Sequence, residues 1–517
     1  MNMYNINGPN RIVGLASGLD VDAIVKSLML TEQAKVDSIT QKQTLLEWKI
    51  GSHKELNSLL ADFTNKYFSA LSPNTSIHTA SAYNIKSVAL SNSQSVSISA
   101  SSDAVDGAYV INEITSLAKG ASAESAFGIS SNLNEKVLPS ASLKDLNLAT
   151  ALLFEQGTDD EGNNIQFIEF DINGVNFKFC DSDSLQHVIS AVNKSDAGVT
   201  MSYSSLSDKL SVKSKTLGAD SALEINNISG NFFAQNASDS AFGLSTATKA
   251  GTNAVLKINS YDVSKASNSF TIDGITYNLL NETSLETTFT IYQDVDASFN
   301  KIKNFIDDYN NLIETVNGKL KEEKFRSFLP LTQAQKKEMT EKEIADWEQK
   351  AKSGMLSGDL KIRQLLSDVR NAFLNTVDGA GVSFYEIGIS TGYMSKDGKL
   401  NIDEAKLKNA LANNPEGVAN LFAKTSSAID TAQKYNESGL AWRIGDTLKN
   451  YTGFIKSYTL VYSEKQLSDY GRKVTDFIKR MNEKEARYYK QYAALEKALS
   501  NLNAQSLYFD SVFNSGE

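Results

Sequence analysis

Side chains able to do chemistry are few in this sequence, and they are scattered. There are three histidines, His53, His78 and His187, and one cysteine, Cys180. One cysteine excludes a disulfide within the chain and leaves no basis for a thiolate metal site. His187 falls in SLQHVISAVNK, whose apolar spacing makes it a helix residue before it is a ligand. In MSKDGKLNIDEAKL, Asp397, Gly398 and Glu404 stand at calcium-loop offsets. Tyr393 would then be the first ligand and Ser395 the third, where the loop needs carboxylates. An Asp-Gly turn leading into a helix begun at Asp403 accounts for the stretch more simply. GLASGLD, residues 14–20, matches neither a dinucleotide fingerprint nor a P-loop, because no strand signal precedes it and no Gly-Lys-Ser/Thr follows. The expectation is no catalytic residue, no metal and no cofactor.

Composition narrows the partners. The net charge of −10 over 517 residues argues against nucleic acid, which needs a basic stripe, and against a polybasic membrane patch. The most apolar early run, AIVKSLML, is short and carries Lys26, so no stretch approaches the roughly 20 residues of a membrane span. MNMYNINGPNRIVG lacks the charged start and apolar core of a cleaved signal. A soluble chain is expected, one that stays in the cell or leaves without a cleaved signal.

Long elements occupy the two ends. A heptad seam runs through Val25, Met29, Val36, Ile39, Leu46, Ile50, Leu60, Tyr67 and Leu71, with Glu32, Gln43, His53, Asn57 and Thr64 at its polar positions. A second seam takes in Leu467, Val474, Ile478, Met481, Tyr488, Tyr492, Leu495, Leu499, Leu502, Phe509 and Phe513, broken at Gly471, Glu485 and Ser506. Seams at opposite ends of a chain can pair with each other or with copies in other subunits. Just before the first, Gly14 and Gly18 supply flexibility, and Ser17 with Asp20 has capping-box spacing, which would start a helix near Gly18 or Leu19.

The middle is rich in Ser, Asn, Ala and Gly. SVSISA puts Val96, Ile98 and Ala100 on one face of a strand. FIEFDINGVNFKF and SFTIDGITYNL read as hairpins turning at Asn173-Gly174 and Asp273-Gly274, one device used twice, which suggests two β-rich modules. QGTDDEGNN, residues 156–164, reads as a loop tip. After Asp294 helical spacing returns through Phe299, Ile302, Ile306, Tyr309, Ile313 and Val316. Pro330 is expected to end an element, Thr332/Gln335 and Thr340/Glu343 to open two short helices, and Trp347 to pack inward from the second.

Taken in order, these stretches resemble the flagellar hook-associated protein 2 family, the filament cap proteins. GLASGLDVDAIVKSLM is similar to the family's N-terminal signature, through Gly14, Ser17, Gly18, Leu19 and Asp20, with Ala16 where glycine is also common. KQTLLEWK, GAYVINEITSLAKG, the repeat-like module from Asn173 to Gly218, FIDDYNNLI, DGKLNIDEAKLKNAL and RYYKQYAALEKALSNLNAQS continue the resemblance almost to the C-terminus.

The resemblance implies an α+β multidomain, U-shaped chain. Long terminal helices would pair as a coiled-coil leg (1–45 with 470–517) below a mixed helical domain (46–77 with 294–469). Two outer β-rich domains would be inserted in the middle (78–165 with 230–293, and 166–229). It also implies a structural role: a ring-like homo-oligomer, usually of five, at the distal filament tip, where it promotes folding and insertion of exported flagellin. Implied partners are flagellin, hook–filament junction proteins and an export chaperone at the C-terminal helix. Export would follow the flagellar type III route. The hinge would be Gly14, Ser17, Gly18 and Asp20, and the two seams would dock to the filament, with polar misfits such as Glu32 and Glu485 keeping the grip loose. The alternative is an adhesin that binds host mucin or cell surfaces through the β domains.

Overall fold

A computed structural model describes residues 17–132, 134–158, 163–391 and 397–514. Tyr393 and Ser395 fall outside the described residues. The helices, in chain order, are α1 Val21–Phe68, α2 Leu185–Lys194, α3 Val295–Lys321, α4 Gln333–Lys337, α5 Glu341–Lys352, α6 Leu360–Leu374, α7 Glu404–Asn413, α8 Pro415–Ala423, α9 Thr431–Glu437, α10 Leu440–Phe454 and α11 Val461–Asn514. Two compact units result: Asn84–Val295, and the segments on either side of it.

The inserted unit is made of antiparallel sheets. Its strands are β1 Lys86–Leu90, β2 Val96–Ala100, β3 Gly107–Ser116, β4 Ser122–Glu124, β5 Glu155–Thr158, β6 Asn164–Ile172, β7 Val175–Cys180, β8 Val199–Ser204, β9 Lys209–Ser214, β10 Ile225–Ser229, β11 Ala254–Ile258, β12 Tyr261–Lys265, β13 Ser269–Ile272, β14 Ile275–Leu279 and β15 Thr287–Gln293. Both expected hairpins form. Ile172 pairs Val175 across Asn173-Gly174, and Ile272 pairs Ile275 across Asp273-Gly274. All four turn residues have positive φ, from 47° to 80°, as a type I′ turn requires.

Two apolar cores fill this unit, and each holds one of the hairpins. One collects Val96, Ile111, Leu256, Tyr277 and Phe289 under the sheet ordered β1-β15-β3-β11-β12. The other collects residues from Ala121 to Leu244, centred on Phe170, whose ring meets Phe177, Phe179, Phe232 and Phe233. The described residues of 121–165 and 230–244, expected in the first module, therefore contribute to the second. Phe232, Phe233 and Phe242 reach that core from irregular backbone, where no periodicity marks them. Within the expected loop tip at 156–164, Gln156, Gly157 and Thr158 pair with β6, and residues 159–162 lie outside the described residues.

The helical unit is built on α1 and α3. Phe305 of α3 packs among Phe63, Tyr67 and Phe68 of α1. One turn later, Tyr309 donates to the Gly398 carbonyl at 3.0 Å, and the Asn310 amide both donates to and accepts from the Leu400 backbone at 2.9 and 2.8 Å. The FIDDYNNLI motif thus fastens the DGKL turn to α3. Asp403 caps α7, as expected. Both capping boxes are present at α4 and α5. Trp347 is half-buried on Phe328, ring centroids 4.6 Å apart, and its Nε1 donates to the Leu329 carbonyl. α3 stops at Lys321, well before Pro330. That proline is buried in a connection, and its carbonyl accepts from Gln41.

Candidate functional site: the paired terminal helices

The two end helices pair with each other in antiparallel register within one chain. Four contacts set the register: Ser17 with Glu496, Asp22 with Tyr489 at 2.9 Å, Glu32 with Lys484 at 2.8 Å, and Lys54 with Glu464 at 2.9 Å. α1 has 48 residues and α11 has 54, so each spans about 70–80 Å at 1.5 Å per residue.

The start of α1 differs from the sequence expectation. Asp20, not Ser17, is the cap; its carboxylate accepts from the Ala23 amide at 2.9 Å, and the helix begins at Val21. Gly18 has φ +69°, which breaks helical backbone between Ser17 and the helix. Ser17 is freed for another task. Its hydroxyl donates to Glu496 Oε1, its amide donates to Glu496 Oε2 at 3.3 Å, and its oxygen accepts from the Leu19 amide. It ties the entry to α1 onto α11. Gly14 lies outside the described residues.

Along α1 the seam keeps its register. Val25, Val36 and Ile50 are buried, and Met29, Ile39 and Leu46 are half-buried. Three of the five polar positions, His53, Asn57 and Thr64, are buried on the same stripe, and Glu32 and Gln43 are half-buried. Burial lowers the affinity of His53 for a proton, only partly offset by Asp359, whose carboxylate lies 3.9 Å away. Leu71 is past the end of α1 and 94% exposed.

On α11, Met481 is buried; Val474, Ile478, Tyr488, Tyr492 and Leu499 are half-buried. Leu495 and Leu502, expected in the seam, face solvent at 44% and 59% exposure. A straight α-helix drifts about 20° per heptad from a strict seven-residue repeat. After four heptads the face toward α1 has moved from Leu495 to Glu496. Leu502 lies past Ser17, where no described residue of α1 stands opposite. Phe509 is also exposed, and the side chain of Phe513 lies outside the description.

Electrostatics change the meaning of one misfit. Glu32 is not a loose polar gap: hydrogen bonds from Lys484 and then Lys35 hold its carboxyl below the usual carboxylate range, and Glu32 in turn raises Lys484. Sequence reasoning missed this cross-helix pair because periodicity shows which positions meet but not which rotamers find each other.

It also missed Arg443, which is 2% exposed at the head of α10. Its guanidinium donates to the carbonyls of Ala372, Asn375 and Thr376 at the end of α6, and of Tyr435 and Asn436 at the end of α9. One buried cation thereby satisfies the open carbonyls of two helix C-termini. Among the described residues, no group of carboxylates, histidines or cysteines could hold a metal ion, and no helix is long and apolar enough to cross a membrane.

Comparison with known proteins follows the same outline. Residues 17–121 match the family profile "Flagellar hook-associated protein 2 N-terminus", and residues 251–504 match "Flagellar hook-associated protein 2 C-terminus". A flagellar hook-associated protein 2 of Halalkalibacterium halodurans is 27% identical over 96% of this chain and 98% of its own. That of Escherichia coli K12 is 26% identical over 97% and 98%. The crystal structure of the D1-D2-D3 domains of the E. coli flagellar cap protein FliD aligns with a TM-score of 0.50 at 22% identity, over 80% of this chain and 99% of that one. These names do not favour the adhesin alternative. With both profiles matched in order and relatives aligned end to end, this chain belongs to the flagellar hook-associated protein 2 family.

Proposed function

We propose that this chain is the structural cap at the distal tip of the bacterial flagellar filament, a ring-like assembly of copies, five in the usual family arrangement, that promotes folding and insertion of flagellin beneath it. The observation that carries this reading is the antiparallel leg of α1 and α11. A cap must hold while subunits are added under it, so its attachment has to be strong in sum and weak at each point. The leg has that character: a seam that is mostly half-buried on α11, tied across by Ser17–Glu496, Asp22–Tyr489 and Glu32–Lys484.

The finer partners follow from this reading. Residues 1–45 with 470–517 serve as the filament-docking leg. Flagellin and the hook–filament junction proteins meet the cap during assembly, and an export chaperone covers the apolar end of α11, where Leu502, Leu507 and Phe509 are exposed. The chain leaves by the flagellar type III route. A single cysteine and five prolines suit threading unfolded, because disulfides and slow proline isomerisation would both delay it. Gold labelling of an epitope-tagged, full-length protein on intact filaments tests the placement. Label confined to distal ends is expected; label spread along the shaft contradicts the proposal.

A further inference from the structure

The C-terminal helix changes phase on its way from α10 to α11. α10 buries Leu440, Ile444, Leu448 and Tyr451, and the stripe continues to buried Ile455. These positions recur every three or four residues, as one stripe of an α-helix does. Carried forward at about 100° per residue, the stripe would next take in Tyr458 and Tyr462. Both are instead turned to solvent, 68% and 64% exposed. The face that α11 turns to α1 runs through Leu467, Val474, Met481, Tyr488 and Tyr492. On an uninterrupted α-helix those residues would lie about 100° around from the α10 stripe, an offset of one residue.

The element between the two stripes has that extra residue. Ile455–Leu460 is π-helical, and its i→i+5 bonds fit one more residue into the turn than an α-helix holds. We infer that this π-turn is a phase-setter: its extra residue rotates all that follows, so the stripes of α10 and α11 both face α1 while Tyr458 and Tyr462 point outward. Phe454 and Tyr458 stack on the outer side, ring centroids 5.5 Å apart. Ile455 anchors the inner side. The π-turn gives up good hydrogen-bond geometry over one turn, and the α11 seam that it brings onto α1 offsets that cost. The inference rests on the pairing of α1 with α11 and is independent of the cap reading.

Deleting Ser457, an exposed residue inside the π-turn, tests it. In the full-length chain carrying Cys180→Ser, Asp22→Cys and Tyr489→Cys place thiols at a cross-helix contact, for linking by a short bis-maleimide. The parent should cross-link. Deleting Ser457 alone removes the extra residue, so the chain should run on as plain α-helix with the α11 seam still in phase and the cross-link kept. Deleting Lys456 and Ser457 together leaves α11 about 100° out of phase and should lose the cross-link while circular dichroism shows helix content retained. A cross-link lost in the single deletion, or kept in the double deletion, overturns the inference. No flagellar assay enters the readout, so failure here and failure of the cap proposal are separate results.

Discussion

Lys484 on α11 donates to the Glu32 carboxylate on α1 at 2.8 Å, and Lys35 on α1 donates to the same carboxylate at 3.2 Å. A charged residue at a seam position is thereby turned into a cross-helix tie. Its carboxyl is held below the ordinary value of 4.5. A depressed carboxylate adds stability that is present above the unfolded pKa and is lost as pH falls through the folded pKa. Protection of the α1 amides, corrected for the intrinsic exchange rate, should fall as pH is lowered below about 4.5, and Lys484→Met should show that lowered protection already at neutral pH. Glu32→Leu acts in the other direction. It replaces a polar tie by a continuous apolar seam, and filaments assembled with that variant should be shorter than wild type. Wild-type filament length with Glu32→Leu would show that a loose seam is not needed.

Arg443 should be the most sensitive single residue of the helical unit. Arg443→Met keeps most of the bulk and takes a charged donor from five carbonyls at the ends of α6 and α9, of which Tyr435 and Asn436 keep the amides of Ser438 and Asp378. Hydrogen bonds to a charged group are worth about 1.5–3 kcal/mol each, and losing this set should cost about 3 kcal/mol or more. Denaturant titration followed by tryptophan emission reads it directly: Trp442 neighbours Arg443 in α10, and its indole donates to the Ala423 carbonyl at 3.1 Å. An unchanged midpoint would refute the double-capping role.

Asp208 is the corresponding pin of the β-rich unit. It sits at φ +57° with a nearly fully buried carboxylate that accepts from the Ser130 amide and hydroxyl at 3.0 and 2.7 Å and from the Tyr203 hydroxyl at 2.7 Å. Burial works to raise its pKa, but these donors and the Lys136 charge outweigh it and leave it below 3.8. Its contribution is therefore present above about pH 4 and lost as pH falls through the depressed value. Asp208→Ala should destabilise this unit by about 1–3 kcal/mol at neutral pH and flatten its acid unfolding curve. An acid midpoint shared by both proteins would contradict this.

The β11–β12 hairpin offers a stabilising test. Its turn, Asn259-Ser260, has φ values of 47° and 68°. A non-glycine residue in that region carries about 1–2 kcal/mol of strain. Ser260→Gly should raise the stability of the unit by up to about 1 kcal/mol, after the added freedom of the unfolded chain is counted. The Ser260 amide keeps its bond to Asn112. A thermal midpoint that stays level or falls would place the strain elsewhere.

What the sequence made legible follows from how local each signal is. The Asn-Gly and Asp-Gly turns, the two Thr capping boxes and the α3 stripe each depend on a few neighbouring residues, and each appears as read. Asn259-Ser260 has the same turn geometry but no glycine, so the third hairpin gave no signal. The cap at Asp20 was misplaced by three residues because spacing alone does not show that Gly18 takes positive φ. Arg443, Asp208 and the phenylalanines around Phe170 act across long sequence separations, where no period connects them. The seams were legible as seams. Their pairing as a leg was expected as well, whereas the Glu32–Lys484 tie and the π-turn that brings them into phase belong to the packed chain, not to any one segment.

Deleting the protein while leaving flagellin intact tests the central claim most directly, by electron microscopy of the cells together with assay of flagellin in the medium. The cap account predicts short or absent filaments, with unassembled flagellin monomer lost to the medium. Full-length filaments on cells without the protein would contradict it.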